Sequence, residues 1–255
     1  MAGETIKTEA ICLDVRPWSR TSHVVSWLTP SGKVTTVVKG AVRPKSLFLG
    51  QYDLNYTCDI VYYARAKGEL HALRECVPVE RRDELREDYR KLALAGYFRR
   101  LVADFAPQGE ECRAWYGELR RGLDFCASLT SGQETASPFL RFELEILRLS
   151  GLAPNFSKFD KNAEWSSFSL ETGAFGSGEG RCIRISRDVA EYLACMAGAG
   201  RPRPPGCHGN LSVSCKNSQI PLDAARVIGV FYQFHLDCPA DVRRTVLEMI
   251  SNQGR

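Results

Sequence analysis

Hydrophobic and polar residues alternate through much of the first eighty residues, which is typical of half-buried β-strands. The alternation is strictest over residues 52–62. Its apolar face carries Tyr52, Leu54, Tyr56, Cys58, Ile60 and Tyr62. Further strands are predicted over Ile6 to Asp14, Val24 to Leu28, Val34 to Val38 and Glu69 to Val77. Five short strands suit an OB-fold barrel, and they suit an SH3-like barrel equally well.

The spacing of apolar residues changes after Pro78 to about every third or fourth position, which predicts that strands give way to helices. The first helix is predicted over residues 83–105. Its apolar stripe is Leu85, Tyr89, Leu92, Ala95, Phe98, Val102 and Phe105. Later helices are predicted over about residues 110–129, 138–150, 187–198, 221–236 and 240–251. Ser137 and Pro138 suit the start of the third helix.

The change of spacing near residue 80 predicts a domain boundary. We therefore expect an α+β protein, with a five-stranded OB-fold barrel over residues 1–80 and a mainly helical domain over residues 81–255. The helical domain contains an irregular insert at about residues 155–181, where glycine and polar residues interrupt the pattern. The 255 residues suffice for two modest domains, each with its own core.

The compartment is predicted from two features of the composition. No apolar run is long enough to span a membrane, and the N-terminus lacks the pattern of a signal peptide, so we expect a cytoplasmic protein without a membrane partner. The ten cysteines are scattered without a C-x-x-C pair, which favours buried thiols. Zinc binding is the less favoured alternative. Its candidate ligands are Cys182, Cys195, Cys207, His208 and Cys215.

The net charge of +4 comes from one segment. From Arg16 to Tyr52 there is no Asp or Glu, and the remaining 28 of the 34 basic residues are balanced by 30 acidic ones. The cations of this segment are Arg16, Arg20, Lys33, Lys39, Arg43 and Lys45. A localised field of this kind attracts polyanions, and Trp18 offers a face on which bases stack. We predict that these seven residues bind nucleic acid, with an ordinary solvated face as the alternative.

Other aromatic and basic residues are interpreted differently. Trp27 and Tyr52 lie inside apolar strands and are more consistent with the core, whereas Phe48 suits either the core or the surface. A set of arginines in the first two helices alternates with acids, which favours a solvated face over an extended DNA path. They are Arg90, Arg99, Arg100, Arg120 and Arg121.

Motifs of enzymes are not found. No histidine has a partner at the spacing of a zinc protease, and the sequence has no G-x-S-x-G motif. The glycine-rich residues 176–180 do not form G-x-G-x-x-G, and Gly32 with Lys33 lacks the other residues of a P-loop. We therefore expect a protein without catalytic activity or a cofactor.

The third predicted helix offers a second candidate site. Phe139 and Phe142 lie along an apolar stripe, with Arg141 and Arg148 about two turns apart beside it. Such a groove suits an acidic peptide that ends in an aromatic residue. The alternative is that the stripe is only the core face of the helix.

Three segments resemble the RecO family of bacterial recombination mediators. They are LTPSGKVTTVVKGAVRPKS at residues 28–46, RFELEILRLSGLAP at residues 141–154 and FYQFHL at residues 231–236. The resemblance implies an N-terminal OB-fold and a helical domain, and no enzymatic activity. It also implies a nucleoid-associated role: binding single- and double-stranded DNA, annealing complementary strands, and helping RecA load on coated DNA. The implied partners are the acidic tail of single-strand DNA-binding protein, RecR and, as a further candidate, RecF.

The chain departs from the family pattern at one place. Many members carry a four-cysteine zinc knuckle after the third helix, and the corresponding positions here fall near Phe159, Asn162, Ser177 and Gly180. We therefore expect this zinc-knuckle-like region to fold without metal. Apolar contacts would hold it instead, from Phe156, Phe159, Trp165 and Phe168.

Two other functions remain alternatives. An adaptor that works through an acidic peptide tail would bind DNA weakly and the peptide strongly. An RNA-associated OB-fold protein would prefer RNA to DNA.

Overall fold

The computed structural model describes residues 4–65, 70–130, 132–133, 135–176, 180–198, 219–236 and 240–251. The chain divides into two compact units, the first over residues 1–130 and the second over residues 131–255. The first unit contains the predicted barrel and the first two predicted helices. The domain boundary near residue 80 stays a prediction.

The first unit is built on a closed five-stranded barrel. Its strands are β1 (Thr5–Ser19), β2 (Ser22–Thr29), β3 (Gly32–Val38), β4 (Thr57–Tyr63) and β5 (Leu70–Glu80). They follow the order β1-β2-β3-β5-β4, and β1 closes the barrel by pairing with β4. All neighbours are antiparallel except β3 and β5, which run parallel. The predicted five-stranded OB-fold barrel is confirmed.

The interior of the barrel is filled by the alternate residues that the pattern predicts. Trp27, Cys58 and Ile60 are fully buried, and the Trp27 indole Nε1 donates a hydrogen bond of 2.9 Å to Oγ1 of Thr36. This bond satisfies the one polar atom of a large buried side chain. Tyr52 packs against this core, as predicted. The predicted burial of thiols is confirmed for Cys12, Cys58, Cys76, Cys112 and Cys126, whereas Cys182 and Cys195 are exposed.

The strand predicted over residues 52–62 begins later than expected, at Thr57. A turn precedes it: the amide of Tyr56 donates to the carbonyl of Asp53, and Asn55 has a φ of 69°. This left-handed conformation is one that Asn tolerates and that a strand does not contain. The side chain of Leu54 is therefore exposed rather than part of the apolar face.

The first predicted helix is two elements. A short 3-10 helix (Asp83–Arg86) comes before α1 (Tyr89–Phe105), and the side chain of Asp88 caps α1 by accepting a 2.9 Å hydrogen bond from the amide of Arg90. Tyr89 is 71% exposed. Leu92 is exposed as well, so the predicted apolar stripe is wrong at both positions. The buried residues of α1 begin at Leu94, and α1 packs against α2 (Cys112–Ser128).

A cluster of charged side chains joins α2 to the barrel, and we call it the Arg82 joint. Its members are Arg82, Glu80, Asp124, Arg120 and Glu9. The Arg82 guanidinium is 4% exposed and donates to Glu80 Oε2 at 2.5 Å, to Asp124 Oδ1 at 2.7 Å, and to Asn55 O and Thr57 Oγ1 at 2.9 Å each. A buried cation requires such a full set of acceptors.

The second unit is mainly helical. Its elements are α3 (Ala136–Leu149), β6 (Trp165–Ser169), β7 (Ala174–Phe175), β8 (Cys182–Ser186), α4 (Arg187–Gly198), α5 (Gln219–His235) and α6 (Ala240–Ser251). The helix α3 begins at Ala136, with Thr135 at the N-cap position instead of Ser137. The hydroxyl of Ser137 accepts a 2.8 Å hydrogen bond from Tyr192 of α4 instead.

The predicted irregular insert contains a small three-stranded sheet in the order β7-β6-β8. Phe156 and Phe168 are buried and stacked, with ring centroids 5.2 Å apart, and Phe175 packs edge-on against Phe168. Trp165 is 46% exposed, so its predicted place in this core is wrong. It lies at the start of β6, where the guanidinium of Arg184 lies over its ring.

Two further expectations concern metal and membrane. Among the described residues, no three His, Cys, Asp or Glu side chains form a group that could hold a metal ion, and Cys207, His208 and Cys215 lie outside those residues. Metal-free folding of the insert therefore stays a prediction. No helix in the described part of the chain is long and apolar enough to cross a membrane.

Candidate nucleic-acid interface

One end of the barrel brings together two parts of the acid-free segment. We call this surface the basic tip; it consists of residues 16–21, at the turn between β1 and β2, and residues 39–50, which follow β3. The amide of Val42 donates to the carbonyl of Thr21 at 3.3 Å, and the amide of Gly40 donates to Oγ of Ser22 at 3.3 Å. The two parts therefore form one surface.

The second part of the tip is a series of tight turns. Gly40 adopts a φ of 66°, and the amide of Arg43 donates back to its carbonyl at 3.2 Å. The amide of Ser46 then donates to Arg43, and that of Leu49 to Ser46. Glycine meets the left-handed conformation at the first turn without steric cost. Each turn satisfies backbone groups locally, and most side chains of this loop are exposed, with Ala41 and Phe48 turned to the barrel core.

The cations of the tip are exposed. They are Arg16, Arg20, Lys39, Arg43 and Lys45. Arg16 forms an ion pair with Asp14, which lies just outside the acid-free segment. The other four have no acidic partner within the described residues. Uncompensated exposed cations of one sign produce a positive potential at this end of the barrel.

Apolar side chains lie among these cations. Trp18 is 64% exposed at the end of β1, as its predicted role requires. Leu47 is 88% exposed, and Val42 and Leu49 are exposed as well. Their position in the acid-free segment was the available signal for these three aliphatic residues, which sequence reasoning missed. Phe48 is half-buried against the barrel core.

The structure does not bring Lys33 to the tip. Lys33 lies near the start of β3 and Lys39 follows its end, so roughly 20 Å of strand separates them. The Lys33 ammonium donates a 3.1 Å hydrogen bond to the carbonyl of Ala103 in α1, and its amide donates to Oε1 of Gln108. Lys33 therefore lies outside the basic tip, and its binding of nucleic acid stays a prediction.

The predicted peptide groove of the second unit is not open. Phe139 and Phe142 are both buried, so the stripe is the core face of α3. The guanidinium of Arg243 from α6 lies 5.5 Å from the centre of the Phe139 ring and forms two hydrogen bonds with the buried Glu143, at 2.7 and 2.8 Å. The packing of α6 thus occupies the face that the hypothesis left for a peptide.

The two arginines of that hypothesis have different surroundings. Arg141 is exposed. Arg148 is bound to Glu145, one turn earlier on α3, at 2.6 and 2.8 Å. The two arginines remain on the surface of α3, but Phe139 and Phe142, the apolar residues expected to form the groove between them, are in the core.

Comparison with known proteins gives a consistent assignment. The family model described as recombination protein O N terminal matches residues 1–82, and the model described as recombination protein O C terminal matches residues 86–200. A protein named DNA repair protein RecO from Alkaliphilus metalliredigens is 31% identical over 181 residues, which cover 70% of each chain.

Two further relatives carry the same name. The protein from Moorella thermoacetica is 31% identical over 150 residues, covering 58% of this chain and 54% of the relative. The protein from Desulforudis audaxviator is 31% identical over 149 residues, covering 58% and 57%. Together with the OB-fold barrel and the helices that follow it, these matches show that the chain belongs to the RecO family.

Proposed function

We propose that the basic tip holds the phosphate backbone of single-stranded DNA, and that the protein uses it to anneal complementary strands. As a member of the RecO family, the protein is a recombination mediator in DNA repair. Within that role, the proposal includes helping to load the recombinase onto strands coated by single-strand DNA-binding protein. These steps transfer and pair strands without making or breaking covalent bonds, so they require no catalytic group.

One observation carries the proposal: the basic tip combines an exposed tryptophan with four exposed cations that have no acidic partner among the described residues. Cations in water bind phosphates mainly by releasing the counterions that the nucleic acid had condensed. Aromatic faces stack on bases with little sequence preference, which suits a protein that must bind any strand awaiting repair. The tip therefore predicts binding that is strong at low salt and insensitive to sequence.

A salt titration tests the proposal. Binding of a fluorescent oligothymidine is measured by anisotropy between about 50 and 200 mM salt, a range over which phosphate contacts weaken measurably. Four contacts with a single strand predict a slope of about −3 in the logarithm of affinity against the logarithm of salt concentration. An affinity that does not change with salt would contradict the proposal.

Charge reversal locates the site. The triple variant Lys39→Glu, Arg43→Glu and Lys45→Glu should weaken binding by at least about fiftyfold at 0.15 M salt, since three phosphate contacts are lost. The matched control reverses two lysines and one arginine that are exposed in the second unit: Lys158, Lys161 and Arg181. The control makes the same change in net charge and should leave most of the affinity. Equal losses in both variants would show that only net charge matters.

The same titration separates the alternatives. An RNA strand of equal length should bind no more tightly than DNA if the proposal holds. A peptide that carries acids and ends in phenylalanine, as a substitute for the tail of single-strand DNA-binding protein, should not displace DNA from the tip. Partnership with that tail, and with RecR and RecF, is proposed from the family alone. Pull-down with each purified partner tests it.

A further inference from the structure

A groove separates the barrel from α1 within the first unit. Its volume is about 720 Å³, and its walls are formed by β1 and β3 on one side and by the second half of α1 on the other. Lys33 is one of the residues that line this groove. The volume lies within the range of small-ligand sites and is far larger than a single inorganic ion needs.

The lining of the groove has an excess of positive charge. Its charged residues are Arg16, Lys33, Arg99, Arg100, Asp14 and Asp104. The ion pairs Arg16–Asp14 and Arg100–Asp104 use both acids. Lys33 and Arg99 donate to backbone carbonyls instead, those of Ala103 and Leu13. Two positive charges therefore face the groove with no acid among the described residues that line it to balance them.

Arg99 supplies an independent reason to expect an anion. Its Nε is buried and has no hydrogen-bond partner among the described residues. Burial lowers the pKa of the Arg99 guanidinium from its ordinary value, because the charge is partly removed from water. A negatively charged group in the groove would compensate the charge of this partly buried guanidinium.

We propose that this groove binds phosphate groups of a nucleic-acid strand, as a continuation of the path that begins at the basic tip. Arg16 belongs to both surfaces, since it is part of the tip and also lines the groove. A strand held at the tip thus has a neighbouring cationic channel into which its next phosphates fit. The inference rests on the proposed function and extends it from one end of the barrel to the face covered by α1.

Arg100 gives the cleanest test. It is exposed and pairs with Asp104 one turn away, so Arg100→Gln should fold normally, unlike changes at Lys33 or Arg99, which bind the backbone. The matched control is Arg121→Gln, an exposed arginine of α2 that pairs with Glu118 in a similar way outside the groove. Circular dichroism and thermal unfolding verify that both variants are folded.

The readout is the affinity for oligothymidines of two lengths, about six and about twenty nucleotides, which bracket the strand that one OB-fold holds. Arg100→Gln should weaken the longer strand about fourfold at 0.15 M salt and reduce its salt slope by about 0.7, the effect of one lost phosphate contact. The shorter strand, held at the tip, should bind as before. Asp104→Asn removes an acid from the lining and should strengthen the longer strand.

Three results would contradict the proposal that the groove binds a nucleic-acid strand. The first is an equal effect of Arg100→Gln and Arg121→Gln, and the second is a loss of affinity that is the same for both oligothymidine lengths. The third is saturable binding of thymidine monophosphate alone, which would make the groove a nucleotide pocket. The tip variant separates the two proposals. If it weakens both strands and Arg100→Gln does nothing, only the groove is wrong. If Arg100→Gln acts and the tip variant does not, the tip is wrong and the groove stands.

Discussion

The basic tip and the Arg82 joint lie in the same compact unit and are both rich in cations, but only the joint has acids to match them. At the joint, Arg82 and Arg120 bind three carboxylates. At the tip, four exposed cations have no acid within the described residues. The same residue types therefore serve packing in one place and face solvent in the other.

The difference shows how a structural arginine is told from one available to a ligand. A cation removed from water must be given acceptors, and the joint supplies four to Arg82. A cation left in water needs none and costs little to keep there. Partners and burial distinguish the two regions, whereas the number of basic residues does not.

The largest expected effect is at the joint. Arg82→Ala should lower the free energy of unfolding by about 3 kcal/mol, because it leaves the buried Asn55 carbonyl and Thr57 hydroxyl without their donor and removes one of the two arginines that bind Glu80. Urea denaturation measures it. The control Arg86→Ala removes an exposed arginine that pairs with Asp53 and Asp83, and should cost about 1 kcal/mol or less. If Arg82→Ala instead weakens DNA binding and leaves stability unchanged, the comparison is wrong.

A smaller effect is expected at the tip. Trp18→Ala should weaken binding of single-stranded DNA by about 1–2 kcal/mol, the loss of stacking on one base, and should change stability little because the ring is exposed. Trp165→Ala is the matched control, since Trp165 is an exposed tryptophan of the second unit. Anisotropy with an oligothymidine gives both affinities. If Trp18→Ala lowers stability and leaves DNA affinity unchanged, Trp18 is a packing residue, like those of the Arg82 joint.

The smallest expected effect is the loss of stability at low pH that comes from Glu80. Burial alone would raise the pKa of Glu80, but the hydrogen bond from Arg120 and the charge of Arg82 outweigh it, and the pKa is lowered. A carboxyl group with a lower pKa in the folded state stabilises the protein above its unfolded pKa of about 4.3. That stability is lost as the pH falls through the folded pKa.

The free energy of unfolding, measured at pH 6 and at successively lower pH, should therefore decrease. In the Glu80→Gln variant this decrease should be smaller. The decrease should be a fraction of the Arg82→Ala effect. The tip has no carboxylate. Oligothymidine affinity of the folded protein should accordingly depend little on the charge state of Glu80, and a shared pH profile would argue that the two regions are coupled.

Much of the fold was predictable because local periodicity carries it. The barrel strands and the six α-helices of the described residues lie close to the predicted ranges. The errors occur where a local conformation interrupts the period. Asn55 turns the chain before β4, and Asp88 caps α1 after a separate 3-10 helix. The short sheet of the insert has too few residues per strand for its alternation to be recognised.

The candidate site was predictable in part. The absence of acids from residues 16–52 selected the cations of the tip, and Trp18 is as exposed as its proposed role requires. Lys33 was grouped with them because it is near in sequence, although β3 carries it to the other end of the strand. Arg99 was set aside as part of a solvated helix face, and it is half-buried beside the groove.

The sequence by itself determined the period of each element and the place where charge is unbalanced, since both depend on residues close together along the chain. The tertiary structure decided which cations find partners. Lys33 meets Ala103, and Phe139 is covered by Arg243, across separations of 70 and 104 positions. Whether a side chain packs, pairs or remains in water depends on neighbours that distant parts of the chain bring to it, and no local pattern contains them.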